Sequence, residues 1–325
     1  MTPAKPRKLL IDTDTASDDA VALIMALRSP LVEVLAITVV AGNVAVEQGT
    51  QNALYTAELC AANVDVFMGA AAPLVRPLED ASWFHGRDGL GDHGYQPTTR
   101  RPANGFAVDA MVRIIEANPG IELITLGPLT NLALALRQAP GLAAHVSRCV
   151  VMGGAPCCEG NVTPTAEYNL WVDPEAARVV LRSQLPIELV GWQLSRGEAV
   201  VHGHEIEALL ALQTPYAEFA VRCNDTAAAA YQTQTGQQGI ALPDPTAMAI
   251  LLDPTLARQT SRHYMDVQVD SGLTRGMSVV DRLDVAADSR NRAAWQEVLQ
   301  QGRKQTVVWE LDNAGWKQLL LQSLR

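Results

Sequence analysis

A chain of 325 residues, 48% hydrophobic and 18% charged, can bury a large core as one domain or two. Its formal net charge of −10 argues against a nucleic-acid backbone as partner and is neutral toward small uncharged ligands. No apolar run approaches the length of a membrane span and the amino terminus lacks a signal peptide's hydrophobic region, so no membrane association is expected.

The first informative stretch is Lys8 to Leu27, KLLIDTDTASDDAVALIMAL. Leu9 to Ile11 predicts a buried strand that stops in Asp12, Asp14, Asp18 and Asp19, four carboxylates within eight residues. Ser17, Asp18 and Asp19 then open an apolar helix from Ala20 to Leu27, with acids in the first turn where the helix dipole favours them. Acids at a strand's carboxyl end, followed by a helix, lie where open α/β sheets place their ligand crevice. Four acids this close repel one another unless a cation neutralises them, and carboxylate oxygens suit Ca²⁺ or Mg²⁺. Helix capping alone accounts for Asp18 or Asp19, but poorly for Asp12 and Asp14.

Val32 to Val40 reads as a second buried strand. It ends in Ala41-Gly42-Asn43, where the glycine permits a tight turn and the asparagine offers a donor and an acceptor. A helix from about Val46 to Ala61 and a short strand near Asp65 to Met68 complete a β-α-β-α-β start, which predicts a right-handed, largely parallel sheet. Pro73 to Pro102 breaks the pattern. It contains WFHGRDGLGDHG, either a loop closing over a ligand or a plain surface loop.

A helix from Ala107 to Asn118 leads to the strand Ile121 to Leu126 and the turn Gly127-Pro128-Leu129-Thr130-Asn131, which leaves the Leu126 carbonyl pointing off the strand end, free to bind an ion. The strand Arg148 to Met152 runs into Gly153-Gly154 and the polar stretch Gly160 to Asp173, where Asn161, Glu167 and Asn169 are the natural hydroxyl binders. Glu167 and Asn169, two apart, would face the same side of an extended chain. Then come a helix from Asp173-Pro174-Glu175, a strand from Pro186 to Val190, mainly helical residues 203–236, and Pro243-Asp244-Pro245 before a short helix from Thr246 to Leu252. The tail holds strand-like segments at His263 to Val269, Met277 to Val280 and near Gln305 to Trp309, then an amphipathic helix to Leu321. The five cysteines, Cys60, Cys149, Cys157, Cys158 and Cys223, are odd in number and lack zinc-ligand spacing, as in a reduced, cytosolic protein. No repeat or linker is visible, so one α/β domain over residues 1–325 is expected.

Several of these segments together resemble the inosine–uridine preferring nucleoside hydrolases. They are DTDTASDD, the AGN turn, HGRDGLGD, TLGPLTNLA, VMGGAPCCEGNVTPTAEYNLWVDPEAA, PDPTAMA and TRGMSVVD, in that order and over most of the chain. The resemblance implies a Rossmann-like open, mainly parallel sheet flanked by helices, a tightly bound Ca²⁺, and hydrolysis of the N-glycosidic bond of ribonucleosides to ribose and free base. It implies Asp14, Asp19, Asp244 and the Leu126 carbonyl as calcium ligands, with Asp14 also taking a proton from the attacking water. Asp18, Asn43, Asn161, Glu167 and Asn169 would hold the ribose hydroxyls, with Met152 lining the sugar pocket and Asp244 touching sugar as well as cation. His85 matches the loop histidine near the base. A homodimer or homotetramer acting on a small ribonucleoside is implied as well.

The chain departs from the family on the base side. Pro243 stands where a histidine often serves as leaving-group acid, the helix before it offers Asn224 and Tyr231 around Ala227 to Ala230 in place of several tyrosines, and Trp192-Gln193-Leu194-Ser195 replaces a Leu-Asp-Val-Thr-like stretch. His85, stacking on Trp83 or another aromatic, or solvent would then assist the departing base, with His85 ranked first because imidazole donates near neutral pH. Two rivals are a calcium-dependent nucleoside or ribose binder without turnover, and a haloacid-dehalogenase-like phosphohydrolase with Asp12 as nucleophile. The latter has no place for Asp18-Asp19 or for the GNVTPTAEYN and PDP stretches.

Overall fold

The computed structural model describes residues 5–97, 99–270 and 272–325. Its frame is a run of strand–helix units: β1 (Arg7–Thr13), α1 (Ser17–Leu27), β2 (Val32–Val39), α2 (Val46–Leu59) and β3 (Asp65–Met68). After a long connection holding the one-turn α3 (Ser82–His85) come α4 (Ala107–Ala117), β4 (Ile121–Thr125), α5 (Thr130–Gln138) and β5 (Val146–Met152). Then follow α6 (Tyr168–Val172), α7 (Pro174–Leu181), β6 (Ile187–Val190) and four helices, α8 (Gly203–Leu210), α9 (Pro215–Arg222), α10 (Asp225–Thr235) and α11 (Pro243–Leu252). The chain closes with β7 (Ala257–His263), β8 (Met265–Val267), β9 (Ser278–Val280), α12 (Gln296–Gln301), β10 (Gln305–Leu311) and α13 (Asn313–Ser323).

The main sheet runs β3-β2-β1-β4-β5-β6-β10-β7, and every neighbouring pair is parallel except β10–β7. Its first six strands stand in the doubly wound order 3-2-1-4-5-6, so the winding reverses between β1 and β4. The segments leaving the carboxyl ends of those two strands, Asp14 to Ala16 and Leu126 to Leu129, therefore flank the crevice where open α/β sheets bind ligands.

Two apolar layers hold the sheet. One packs α1, α2 and α11 on one face, the other α4, α5 and α7 on the opposite face. In α11 every residue from Asp244 to Leu252 is buried, the signature of a helix sunk in the core rather than lying on it. It packs on α1, so both helices start beside the same acids.

The expected mainly parallel α/β sheet with short C-terminal strands is what forms. One expectation on the tail needs correction: the strand placed over His263 to Val269 is two, β7 ending at His263 and β8 starting at Met265, and β7 is an antiparallel edge. Five residues of β7, Arg258 to Arg262, are exposed, so no apolar alternation marks it in sequence. The stretch around Glu167 is likewise not extended, because Glu167 caps the short α6.

Candidate active site

Asp14 is fully buried between two strand-end turns. Its Oδ2 accepts the Asn43 N–H at 2.6 Å, while its Oδ1 has no partner among the described residues. A Cβ on Gly42 would fall 2.1 Å from Oδ2, and one on Gly127 would fall 2.8 Å from Oδ1. The AGN and LGP turns thus need glycine to leave room for this carboxylate, not only for their own backbone. Gly42→Ala is expected to displace Asp14, costing about 1–3 kcal/mol of stability by overpacking and most of the activity. Gly141→Ala, whose Cβ would meet nothing within 4 Å, is the control. Urea denaturation with a parallel activity assay reads both, and equal behaviour of the two variants would sink the idea.

Asp19 is a helix cap as well as a site residue. Its Oδ1 accepts from Thr13 Oγ1 at 2.5 Å and its Oδ2 from the Ala16 N–H at 2.9 Å. Between them Thr15 sits at φ +27°, an uncommon conformation for a branched residue. It is held there by its own N–H on Thr13 Oγ1 at 3.0 Å and by Asn52 Nδ2 on its carbonyl at 2.9 Å. Strain kept in place this way recurs at functional sites.

Asp18, Asp19 and Asp244 each bring a carboxylate oxygen within 4.8 Å of the other two, all three buried. Asp18 Oδ1, like Asp14 Oδ1, has no partner among the described residues. Buried acids with spare oxygens and no cationic side chain among their bonds fit a hard divalent cation. The ligand set that the resemblance implies has Asp14 where this trio has Asp18. The structure places Asp18 there, with Asp14 adjacent and electrostatically coupled to the group. The Leu126 carbonyl is not free as expected, since Asn169 Nδ2 donates to it at 2.8 Å. A carbonyl oxygen has a second lone pair for another partner.

Burial pushes Asp18 and Asp19 up to about 6 and Asp12 and Glu167 up to about 7, and lifts Asp14 and Asp244 well above the usual carboxylate range. The acids repel one another as well, which adds to the rise at Asp14, Asp19 and Asp244. An acid raised on folding binds its proton more tightly in the folded chain, so it favours folding at acid pH. That contribution is lost as pH climbs through the folded value. His85, lowered by burial to about 4, acts oppositely but only below its unfolded value of 6.5. From about pH 4 to 7, between the unfolded and folded values of the raised acids, the six carboxylates outweigh that one imidazole. Protein stripped of divalent cations should lose about 5 °C of melting temperature or more across that range, since a two-unit lift is worth about 3 kcal/mol. A bound divalent cation should flatten the fall. A melting temperature that rises with pH in the stripped protein would contradict this.

Most of the remaining expected residues meet at one partly enclosed cavity. Its lining carries Asp18, Asn43, Met152, Asn161, Glu167 and Asn169, with Asp244 and Leu126. Glu167 accepts from Gly154 N–H at 2.7 Å and Asn169 N–H at 2.9 Å, and Asn161 Oδ1 accepts from Tyr168 N–H at 3.0 Å. Glu167 and Asn169 thus share the cavity through a helix cap, not through extended alternation.

The lining also includes Trp83, Phe84, His85, Trp192, Tyr231 and Pro243, with Asn224. His85 is buried, its Nδ1 2.9 Å from Ser17 Oγ and 3.8 Å from Asp18 Oδ1. With its value near 4 the ring is neutral at pH 7, so the expected proton donation near neutral pH runs against its burial. What a neutral ring retains is an N–H for hydrogen bonding.

The glycine-rich loop after His85 is built from itself. Asp88 Oδ1 accepts from Leu90 and Asp92 N–H groups, Asp92 Oδ1 accepts from Arg87, and Gly91 N–H donates to His85 O. These acids form the loop rather than the site. Sequence reading gave no role to Ser17, to Asn131, whose Nδ2 donates to Asp12 Oδ1 at 2.9 Å, or to Tyr168, whose Oη lies 2.8 Å from Gly42 O. The only available signal was adjacency to the motifs, because each acts through a contact distant in sequence.

Residues 9–318 match the family model described as inosine-uridine preferring nucleoside hydrolase. The chain belongs to that family. It is 35% identical over 280 residues to an inosine-uridine preferring nucleoside hydrolase of Leishmania major, covering 85% of this chain and 88% of that protein. It is also 35% identical over 320 residues to a pyrimidine-specific ribonucleoside hydrolase of Salmonella paratyphi A, covering 98% of each. Among solved structures, a plant nucleoside hydrolase superposes with a TM-score of 0.91 at 30% identity over 98% of this chain and 99% of that one. A purine-preferring ribonucleoside hydrolase from Gardnerella vaginalis gives 0.87 at 29% identity, covering 98% of each. The chain is accordingly an N-glycosidic hydrolase of ribonucleosides, and the phosphohydrolase and turnover-free readings fall away. Among the described residues no helix is long and apolar enough to cross a membrane.

Proposed function

We propose that this enzyme hydrolyses ribonucleosides with Ca²⁺ as its cation, as one domain over residues 1–325. The observation that carries the metal half of the reading is the buried Asp18, Asp19 and Asp244 cluster at a cavity whose wall also carries Asn43, Asn161 and Asn169. Asp14, Asp19, Asp244 and the Leu126 carbonyl would hold Ca²⁺, with Asp18 close enough to join or to serve the sugar. When bound, the ion supplies charge neutralisation, a docking point for vicinal hydroxyls, and a lowered pKa for coordinated water.

The protein's own groups divide the rest. Asp18, Asn43, Asn161, Glu167, Asn169 and Asp244 orient the ribose through its hydroxyls, with Met152 against the ring. Asp14 takes the proton of the attacking water at Oδ1, the oxygen left free by the Asn43 N–H. The water oxygen forms its bond to C1′ as the C1′–N bond breaks, and the electron pair leaves with the base. Carboxylates around the sugar stabilise the oxocarbenium-like charge at that moment. His85 assists departure by a hydrogen bond from its neutral ring, and the base takes up its proton from solvent.

Ribose release from a panel of purine and pyrimidine ribonucleosides, before and after exhaustive calcium removal, tests the whole. Release that vanishes on chelation and returns with Ca²⁺ supports it, and undiminished release from stripped protein overturns the metal assignment. Running His85→Ala through the same panel decides its role, since unchanged turnover on every substrate would remove it.

All five cysteines are free, which supports a cytosolic location. Assembly as a homodimer or homotetramer follows from the family resemblance, and light scattering reads it directly.

A further inference from the structure

Asn224 flanks the start of α10, a position where asparagine ordinarily turns its side-chain oxygen onto the helix amides. Here the side chain makes no such bond. Its Nδ2 instead donates back to Ala220 O at 2.9 Å and lies 3.4 Å from Cys223 Sγ. A carbonyl only accepts, so the amide must present its nitrogen to Ala220, and the oxygen is fixed on the opposite side. That Oδ1 is buried and has no partner among the described residues. Leaving a buried acceptor unpaired costs stability, and forgoing a helix cap to do so points to a donor that arrives with the ligand.

Asn224 lines the active-site cavity, as do Trp192, Ala227, Tyr231 and Pro243. Three other polar atoms of the lining are committed: His85 Nδ1 to Ser17 Oγ, Trp192 Nε1 to Glu159 O at 3.2 Å, and Tyr231 Oη to Gln237 Oε1 at 3.0 Å. Pro243 adds apolar surface but no donor. We propose that Asn224 is a specificity-determining residue whose Oδ1 accepts a hydrogen bond from a ring N–H of the nucleobase, selecting bases with a lactam edge of the hypoxanthine or uracil kind. The inference rests on the ribonucleoside hydrolase reading.

The test compares kcat/KM for ribose release from inosine against 1-methylinosine and from uridine against 3-methyluridine, in wild type and in Asn224→Leu, which matches volume without polarity. Wild type should prefer the N–H member of at least one pair by about 10- to 100-fold, because a buried acceptor rejects a partner that lacks the donor. Asn224→Leu should close that gap to within about 3-fold, chiefly by slowing the N–H substrate. A purely structural role would slow both members equally and keep the gap, which overturns the proposal, as does a wild type without any preference. Should the leucine variant fail to melt cooperatively, Asn224→Ala takes its place in the same comparison. A wild type that releases ribose from none of the four compounds would overturn the hydrolase reading instead, a signature distinct from a retained gap.

Discussion

Asp14→Asn should leave a folded protein whose kcat for ribose release falls by about 10²–10⁴-fold, the range a positioned general base contributes. The substitution keeps the shape between Gly42 and Gly127, and an amide oxygen can still accept the Asn43 N–H. It removes the charge that burial and Asp19 together lift well above the ordinary carboxylate range, and with it the capacity to take a proton. Stability should not suffer in cation-free protein, because one of several mutually repelling buried acids is gone. The cation affinity should fall, so kcat is to be read at saturating Ca²⁺. A calorimetric melt and steady-state kinetics on one good ribonucleoside check the two halves. Near wild-type kcat with saturating Ca²⁺ would move the base role away from Asp14.

The second large effect concerns the sugar. A 2′-deoxyribonucleoside should lose about 10⁴–10⁵-fold in kcat/KM against its matched ribonucleoside, as sites built to hydrogen-bond a hydroxyl reject analogues without it. The reason lies in how few spare partners the buried polar groups have. Asp18 Oδ1 is buried and, among the described residues, has no hydrogen-bond donor before substrate arrives. A deoxy sugar leaves such groups without a donor in a place water reaches poorly. Matched release assays on one base, with initial rates at low substrate, measure the ratio directly. A ratio within tenfold would mean that recognition runs through the base, and attention would shift to the part of the lining that includes Asn224 and Trp83.

That asymmetry between sugar and base was already visible in the chain. DTDTASDD, AGN and GNVTPTAEYNLWVD are short, local and dense in acids and amides, so both their chemistry and their place at strand ends follow from a few consecutive residues. The doubly wound sheet was legible for the same reason, since β1, β2, β4 and β5 are apolar runs punctuated by glycine and separated by helical periodicity. The exposed edge β7 carried no such pattern and was placed too late in the chain.

Sequence alone determined the family, the mainly parallel α/β architecture, and the acids and amides that gather at the cavity. Only the tertiary structure decided how those residues are used. It brought Asp18 together with Asp19 and Asp244, made Asp19 and Glu167 helix caps, tied the Leu126 carbonyl to Asn169, and buried His85 until its ring is neutral. It also turned Asn224 from its cap. The physical reason is range. Strand and helix patterning is set by neighbours within a few residues, whereas a carboxylate's proton affinity and an amide's orientation are set by desolvation and by partners from turns and helices far apart in the chain.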